Sequence, residues 1–175
     1  MNYPKGIREN GGQYTHAACW VIMAEAMLGF GDKALEIAQM INPIEHSKTR
    51  EDAKKFKLEP YIIEADLYAN KDMLGQGGWN WYTGSSGWYY RIVLENILGF
   101  KIENGYIKLE PCIPKEWKEY EIAYKYKSSM YKIKVFNKNN KNREIEKMFF
   151  NGEKVLENRI LLEDNFKINL IEIFL

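Results

Sequence analysis

Histidine is scarce in this chain, two residues in 175, and one of them stands where chemistry could gather. The polar run Arg8-Glu9-Asn10-Gly11-Gly12-Gln13-Tyr14-Thr15-His16 leads into a helical pattern, with His16 at its end. A second run, Gly77-Gly78-Trp79-Asn80-Trp81-Tyr82-Thr83-Gly84-Ser85-Ser86-Gly87-Trp88, also leads into a helix. The first amides of a helix have no partners within it and carry partial positive charge, so they attract anions. Thr83, Ser85 and Ser86 add hydroxyls, and Gly84 allows a ligand close to the backbone. That combination suits phosphate, although on pattern alone an ordinary capped helix with a flexible lead-in explains it more economically. His16 can donate to the same anion or serve as a satisfied core histidine. Trp79, Trp81 and Trp88 can stack on pyranose rings or fill a core. Glu9, Glu59, Glu64 and Asp66 could supply a carboxylate pair for glycoside chemistry, or be solvated and capping groups. His46 reads as a loop residue. Neither a phosphate-loop lysine motif nor a histidine-rich metal motif is present.

The elements that must position these residues change character near residue 100. Ala17, Trp20, Val21, Ala24 and Leu28 line one face of a first helix that stops at Gly29-Phe30-Gly31. Asp32 can cap the next helix, whose Leu35, Ala38 and Ile41 share a face before Asn42-Pro43 ends it. A polar connection follows from Glu45 to Lys57. Pro60 places a helix over residues 60–69, the glycine-rich run Gly75–Gly78 is a loop, and a last helix runs from about Ser86, through Tyr90, Leu94, Ile97 and Leu98, to Gly99. Beyond it short strands alternate around Asn104-Gly105, around a Ser128-Ser129 turn and around Asn151-Gly152, and continue through Ile160–Leu162 and Ile168–Phe174. Helices followed by strands predict an α+β chain in segregated layers or two units, the strands forming a sandwich.

Composition narrows the classes. With 25 basic and 24 acidic side chains, the net charge of +1 gives no electrostatic case for nucleic acid or an acidic membrane. Residues 101–175 hold 15 basic and 12 acidic groups, an excess better explained by lysines guarding strand edges than by a binding patch. A hydrophobic content of 46% excludes wholesale disorder, and 14% aromatics is the one compositional excess. Cys19 and Cys112 are too few for a disulfide framework and read as reduced, packed thiols, which fits the cytoplasm. The longest apolar stretch, Ala17–Ala24, is too short to span a membrane, and Met-Asn-Tyr-Pro-Lys-Gly has no apolar signal core.

Four motifs then occur in order: Gly6-Ile7-Arg8-Glu9-Asn10-Gly11-Gly12-Gln13-Tyr14-Thr15-His16-Ala17, Glu59-Pro60-Tyr61, Trp79-Asn80-Trp81-Tyr82-Thr83-Gly84-Ser85-Ser86-Gly87-Trp88 and Pro111-Cys112-Ile113-Pro114. Together they resemble the C-terminal part of a glycoside hydrolase family 94 enzyme, the family of cellobiose and chitobiose phosphorylases and of the phosphorylase-like end of cyclic β-1,2-glucan synthases. The Trp-Asn-Trp-Tyr-Thr-Gly form is closer to the glucan synthase and β-1,2-oligoglucan phosphorylase branch. Cellobiose-type enzymes tend to have Ser-Trp-Leu-Thr-Gly there.

The resemblance implies that residues 1–100 are C-terminal helices of an (α/α)6 catalytic barrel and residues 101–175 a small antiparallel β-sandwich. It implies inverting phosphorolysis of a β-glucoside, with inorganic phosphate as substrate and no cofactor or metal. His16, Thr83 and Gly84 match phosphate-binding positions; Arg8, Glu9 and Trp81 are placed on the sugar side. The family's general acid is an aspartate in a motif well upstream of the histidine segment, and none of Glu9, Glu64 or Asp66 lies in the matching motif. The chain alone is therefore expected to be inactive, since losing a general acid costs about 10²–10⁴-fold. Helices of a partial barrel also expose apolar faces, so expected partners are a β-glucan or glucosyl oligosaccharide, together with the missing N-terminal part as a separate chain or a second copy. Rival readings are a non-catalytic glycan-binding module and an inert truncated remnant.

Overall fold

A computed structural model describes residues 3–175; Met1 and Asn2, at the head of the expected helical part, lie outside the described residues. The fold is α+β. It forms two compact units, one comprising the chain up to Glu25 with Ala34–Val93, the other Ala26–Lys33 with Leu94–Leu175. Among the described residues no helix is long and apolar enough to cross a membrane.

In the first unit β1 (Gln13–Tyr14) runs directly into α1 (Thr15–Leu28), which is followed by α2 (Gly31–Met40). α1 buries Thr15, Cys19, Ile22 and Ala26. The apolar face read from the sequence, Ala17, Trp20, Val21, Ala24 and Leu28, is exposed, Trp20 at 54% and Leu28 at 69%. Apolar residues surround this helix, so the 3.6-residue spacing fits both stripes and cannot choose between them. The connection after α2 is not structureless: Glu45–Ser47 is a 3₁₀ turn and Arg50–Phe56 is α3. Thr49 caps α3, its hydroxyl oxygen accepting the Asp52 amide at 3.1 Å while its O–H donates to the Asp52 carboxylate at 2.6 Å.

The helix expected over 60–69 does not form. Ile62, Ile63, Glu64, Ala65 and Asp66 are buried in succession, and their backbone bonds go sideways rather than along the chain. The Ala65 carbonyl accepts the Thr15 amide at 2.9 Å, the Ala65 amide donates to Gly78 at 3.0 Å, and the Ile63 carbonyl accepts the Tyr82 amide at 2.9 Å. A small antiparallel sheet results, ordered β1, β2 (Asp66–Leu67), β3 (Gly77–Gly78). The last helix of this unit, α4, begins at Thr83, three residues before the expected start, and runs to Ile92, followed by a π-helical turn over Val93–Ile97.

The second unit contains two sheets around one core. β4 (Phe100–Glu103) and β5 (Tyr106–Leu109) form the hairpin expected at Asn104-Gly105, whose φ angles of 51° and 82° suit a type I′ turn. Gly99, just before it, has φ 73°, and a Cβ there would lie 2.2 Å from the Glu110 carbonyl carbon, so no other residue fits. The larger sheet comprises β6 (Glu119–Tyr126), β7 (Ser129–Phe136), β8 (Lys147–Phe150), β9 (Glu153–Val155) and β11 (Ile168–Phe174), ordered β6-β7-β11-β8-β9, while β10 (Arg159–Leu161) joins β5. The expectation of purely antiparallel strands is corrected at one place, because β11 runs parallel to β7. The β6–β7 turn falls at Lys127-Ser128 rather than Ser128-Ser129, since Tyr126 pairs with Ser129 and the Ser129 hydroxyl is buried as acceptor for the Asn165 and Phe166 amides. Phe100, Ile107, Leu109, Ile133, Val135, Met148, Ile171 and Ile173 meet in the core.

Asp32 is not a cap residue; it is the second residue of α2 and belongs to this second unit. Its carboxylate accepts the Lys115 amide at 2.9 Å and the Asn142 side-chain amide at 3.1 Å. Burial alone would raise its pKa, but these donors hold it below the usual carboxylate value. Tyr131, fully buried in β7, is tied at its tip: its hydroxyl donates to the Glu163 carbonyl at 3.1 Å and accepts the Glu163 amide at 2.8 Å. Tyr131→Phe strands that amide and carbonyl and is expected to cost about 1–3 kcal/mol. A drop in urea midpoint with unchanged slope is the expected signature.

Candidate anion site at two helix N-termini

The small sheet of the first unit sets two helix openings side by side. Pairing of Tyr14 with Asp66, and of Asp66 with Gly78, aligns the strand entering α1 with the segment entering α4. His16 is thereby the second residue of α1 and Gly84 the second residue of α4. The Ser85 hydroxyl lies 3.0 Å from His16 Nδ1. A Cβ placed on Gly84 would stand 3.0 Å from His16 Cε1 and 3.5 Å from Nε2. When Ser85 donates to Nδ1, the neutral imidazole carries its proton on Nε2, a nitrogen that also borders the Gly84 position. Tyr82 at the start of α4 provides no side-chain cap, so the first amides of this ten-residue helix are left for another acceptor.

Aromatic rings wall this corner. The Tyr14 and Tyr82 ring centroids each lie 5.9 Å from that of His16, and the two phenolic oxygens are 3.3 Å apart. The Arg8 guanidinium lies 4.0 Å over the Trp79 ring and 5.9 Å from the Tyr82 ring, with Arg8 only 9% exposed. The Arg8 amide donates to Asp66 at 3.1 Å, and its Nε has no hydrogen-bond partner among the described residues. The hydroxyl of Tyr14 and then the Arg8 guanidinium pull the Tyr82 pKa below the usual phenol value, while the contact with Tyr82 and burial raise that of Tyr14.

The residues singled out from the sequence fall as follows. His16, Thr83 and Gly84 lie at the two helix openings, and Thr83 and Gly84 are exposed. Arg8 is buried against Trp79. Glu9 is exposed. Trp81 is 61% exposed and meets Tyr61 edge-on at 6.2 Å, and Trp79 is 57% exposed. Both indoles sit on left-handed backbone, φ 59° at Trp79 and 58° at Trp81, which is strained for bulky residues. Trp88 packs edge-on against Trp20 at 6.2 Å. Glu64 and Asp66 are both fully buried, and each has one carboxylate oxygen without a hydrogen-bond partner among the described residues. Burial drives Glu64 up to about 7, against the pull of its own amide and the Thr15 hydroxyl, and raises Asp66 as well. His46 is structural, bonded to the Met40 carbonyl at 2.7 Å and stacked on Phe56. Among the described residues no group of three or more His, Cys, Asp or Glu could hold a metal. Tyr14 and Tyr82 lie at this corner although no sequence signal distinguished them from their neighbours, whereas Ser85 is one of the hydroxyls the sequence offers there.

Comparison with known proteins adds a second line of observation. Residues 1–99 match the glycosyl hydrolase 94 superfamily, catalytic domain. The chain is 41% identical over 133 residues to the cyclic beta-(1,2)-glucan synthase NdvB of Rhizobium meliloti, covering 76% of this chain and 5% of that protein. It is 31% identical over 153 residues to the N,N'-diacetylchitobiose phosphorylase of Vibrio furnissii, covering 86% and 19%. It is 28% identical over 157 residues to the solabiose phosphorylase of Paenibacillus borealis, again covering 86% and 19%. The chain thus spans between 5% and 19% of the length of these relatives.

Proposed function

Because the chain belongs to the glycosyl hydrolase 94 superfamily, we propose that it supplies the phosphate-binding side of an inverting glycoside phosphorylase or glycosyltransferase site acting on β-glucans. The observation that carries this reading is the convergence of the His16 imidazole and the start of α4, where a Cβ on Gly84 would come within 3.0 Å of the ring. Phosphate is already an anionic nucleophile, so it needs donors that hold and aim it rather than a carboxylate base. One phosphate oxygen attacks the anomeric carbon as the glycosidic bond breaks. The configuration inverts, giving an α-sugar 1-phosphate, and the leaving oxygen takes a proton from a general acid. His16, the Thr83 hydroxyl and the amides at Thr83 and Gly84 hold the nucleophile. None of the carboxylates in these 175 residues is assigned as the general acid, and the polypeptide alone is inactive in phosphorolysis. Trp81 and Glu9 face the sugar, and Arg8 serves it by fixing Trp79. The helices of the first unit are part of an (α/α)6 barrel, completed by the N-terminal part of the enzyme. The protein acts in the cytoplasm, with a β-glucan or glucosyl oligosaccharide as partner.

Isothermal titration of the chain with inorganic phosphate tests this. Binding is expected, and His16→Ala is expected to weaken it at least about tenfold, the loss of one charge-assisted hydrogen bond. A folded wild-type protein that shows no phosphate binding overturns the proposal.

A further inference from the structure

The Tyr14–Tyr82 pair contains one hydrogen-bond donor more than its own contacts consume. Arg8 can only donate, and its nine-tenths-buried guanidinium lies 5.9 Å from the Tyr82 ring, a fixed positive charge beside the pair. The two phenols, 3.3 Å apart, carry two protons, and the bond between them uses one. Whichever phenol donates within the pair, the other retains an unspent O–H. Both rings stand 5.9 Å from the His16 ring, and Tyr82 directly precedes Thr83 and Gly84. A polarised phenolic proton is thus available at the same corner as the imidazole and the α4 amides.

We infer that the Tyr14–Tyr82 pair, polarised by Arg8, donates its spare phenolic proton to an oxygen of the anion held between His16 and Gly84. The inference rests on the phosphate reading of this site and adds two positioning residues to it. Arg8 acts through Tyr82 rather than on the ligand itself: its guanidinium stays packed on Trp79 and its charge reaches the anion through the phenols. Bonds within a chain of this kind strengthen one another when the first donor is charged. The titratable groups facing the pair are Arg8, Glu9 and His16, and Arg8 in turn faces Tyr3 and Asp66. Arg8 and Tyr14 make Tyr82 the more acidic phenol, so ionisation in alkaline solution replaces a donor with a negative charge facing the anion.

Phosphate titration of the full chain, with circular dichroism to confirm folding, distinguishes the outcomes. Tyr82→Phe is expected to weaken phosphate binding about tenfold, since it cuts Arg8 off and removes half of the pair. Tyr14→Phe is expected to weaken it several-fold. The double variant is expected to lose little more than Tyr82→Phe alone, because the two phenols act as a unit. Wild-type affinity should also fall off at a pH below the ordinary tyrosine value of 10, in step with a tyrosinate absorbance change, and both should vanish in Tyr82→Phe. Phenylalanine variants that bind phosphate as tightly as wild type, or whose losses simply add, overturn the inference while leaving the phosphate site standing. A wild-type protein that binds no phosphate removes the site itself.

Discussion

Gly84→Val is expected to lower phosphate affinity more than about a hundredfold while leaving the melting temperature at or slightly above that of wild type. The two readouts separate because of where Gly84 lies. It is exposed at the second position of α4, its φ is not in the left-handed region, and a β-branched residue is favoured over glycine within a helix. The one contact that opposes the change is the His16 ring, itself bonded to Ser85, and the helix preference over glycine offsets its shift. The side chain would nevertheless start 3.0 Å from His16 Cε1 and 3.5 Å from Nε2, tight enough to displace the ring, and its methyl groups would occupy the space between imidazole and amides. Losing the imidazole contact and one amide contact to a charged ligand accounts for at least about 2.7 kcal/mol, or a hundredfold. Gly84→Ala needs a shift of only a few tenths of an ångström and should cost several-fold. Calorimetric titration beside a thermal melt checks both. A valine variant that binds phosphate like wild type would remove the anion from this corner.

The parts of this architecture that are legible in the sequence are those set by local chemistry. Asn104-Gly105 and Asn151-Gly152 adopt positive φ, as a tight hairpin requires, and both hairpins form where expected. The Thr49-x-x-Asp52 cap is equally local, and α3 escapes notice only because the polar composition around it resembles a linker. Features decided by tertiary partners are not legible. Residues 60–69 carry a helical start signal at Pro60, but lateral bonds to Thr15, Gly78 and Tyr82 outcompete the helix. The same limit applies to the site. His16, Thr83 and Gly84 stand out by residue type at helix starts, whereas Tyr14 and Tyr82 matter because a three-stranded sheet brings their hydroxyls together across 68 residues of sequence. The packing of the Arg8 guanidinium 4.0 Å over the Trp79 ring is likewise a tertiary feature that the motif around Arg8 does not reveal.

The buried Glu64 gives the largest expected effect on stability. It is fully inaccessible beneath the first turn of α1, with Thr15 donating to one oxygen at 3.5 Å and the other oxygen without a hydrogen-bond partner among the described residues. Among the described residues the titratable groups coupled to it are Cys19, Asp66 and Tyr89, and none of these carries a positive charge. Burial therefore dominates, lifting the pKa from 4.5 to about 7 in the folded chain. Between those values the folded state holds a proton that the unfolded state releases, so stability falls as pH rises through this window. A rise of that size corresponds to a loss of about 3 kcal/mol, complete above about pH 7. Glu64→Gln keeps the shape and the acceptor for Thr15 but cannot ionise. At about pH 8 it should unfold at a higher urea midpoint than wild type by roughly that free energy, and at about pH 5 the advantage should be largely gone. Asp66, raised by burial in the same way, leaves a further slope of the same sign in both proteins. Parallel stability curves for wild type and Glu64→Gln across that range would show that water or a cation reaches the carboxylate, and the enclosed floor under the α1 opening would have to be abandoned.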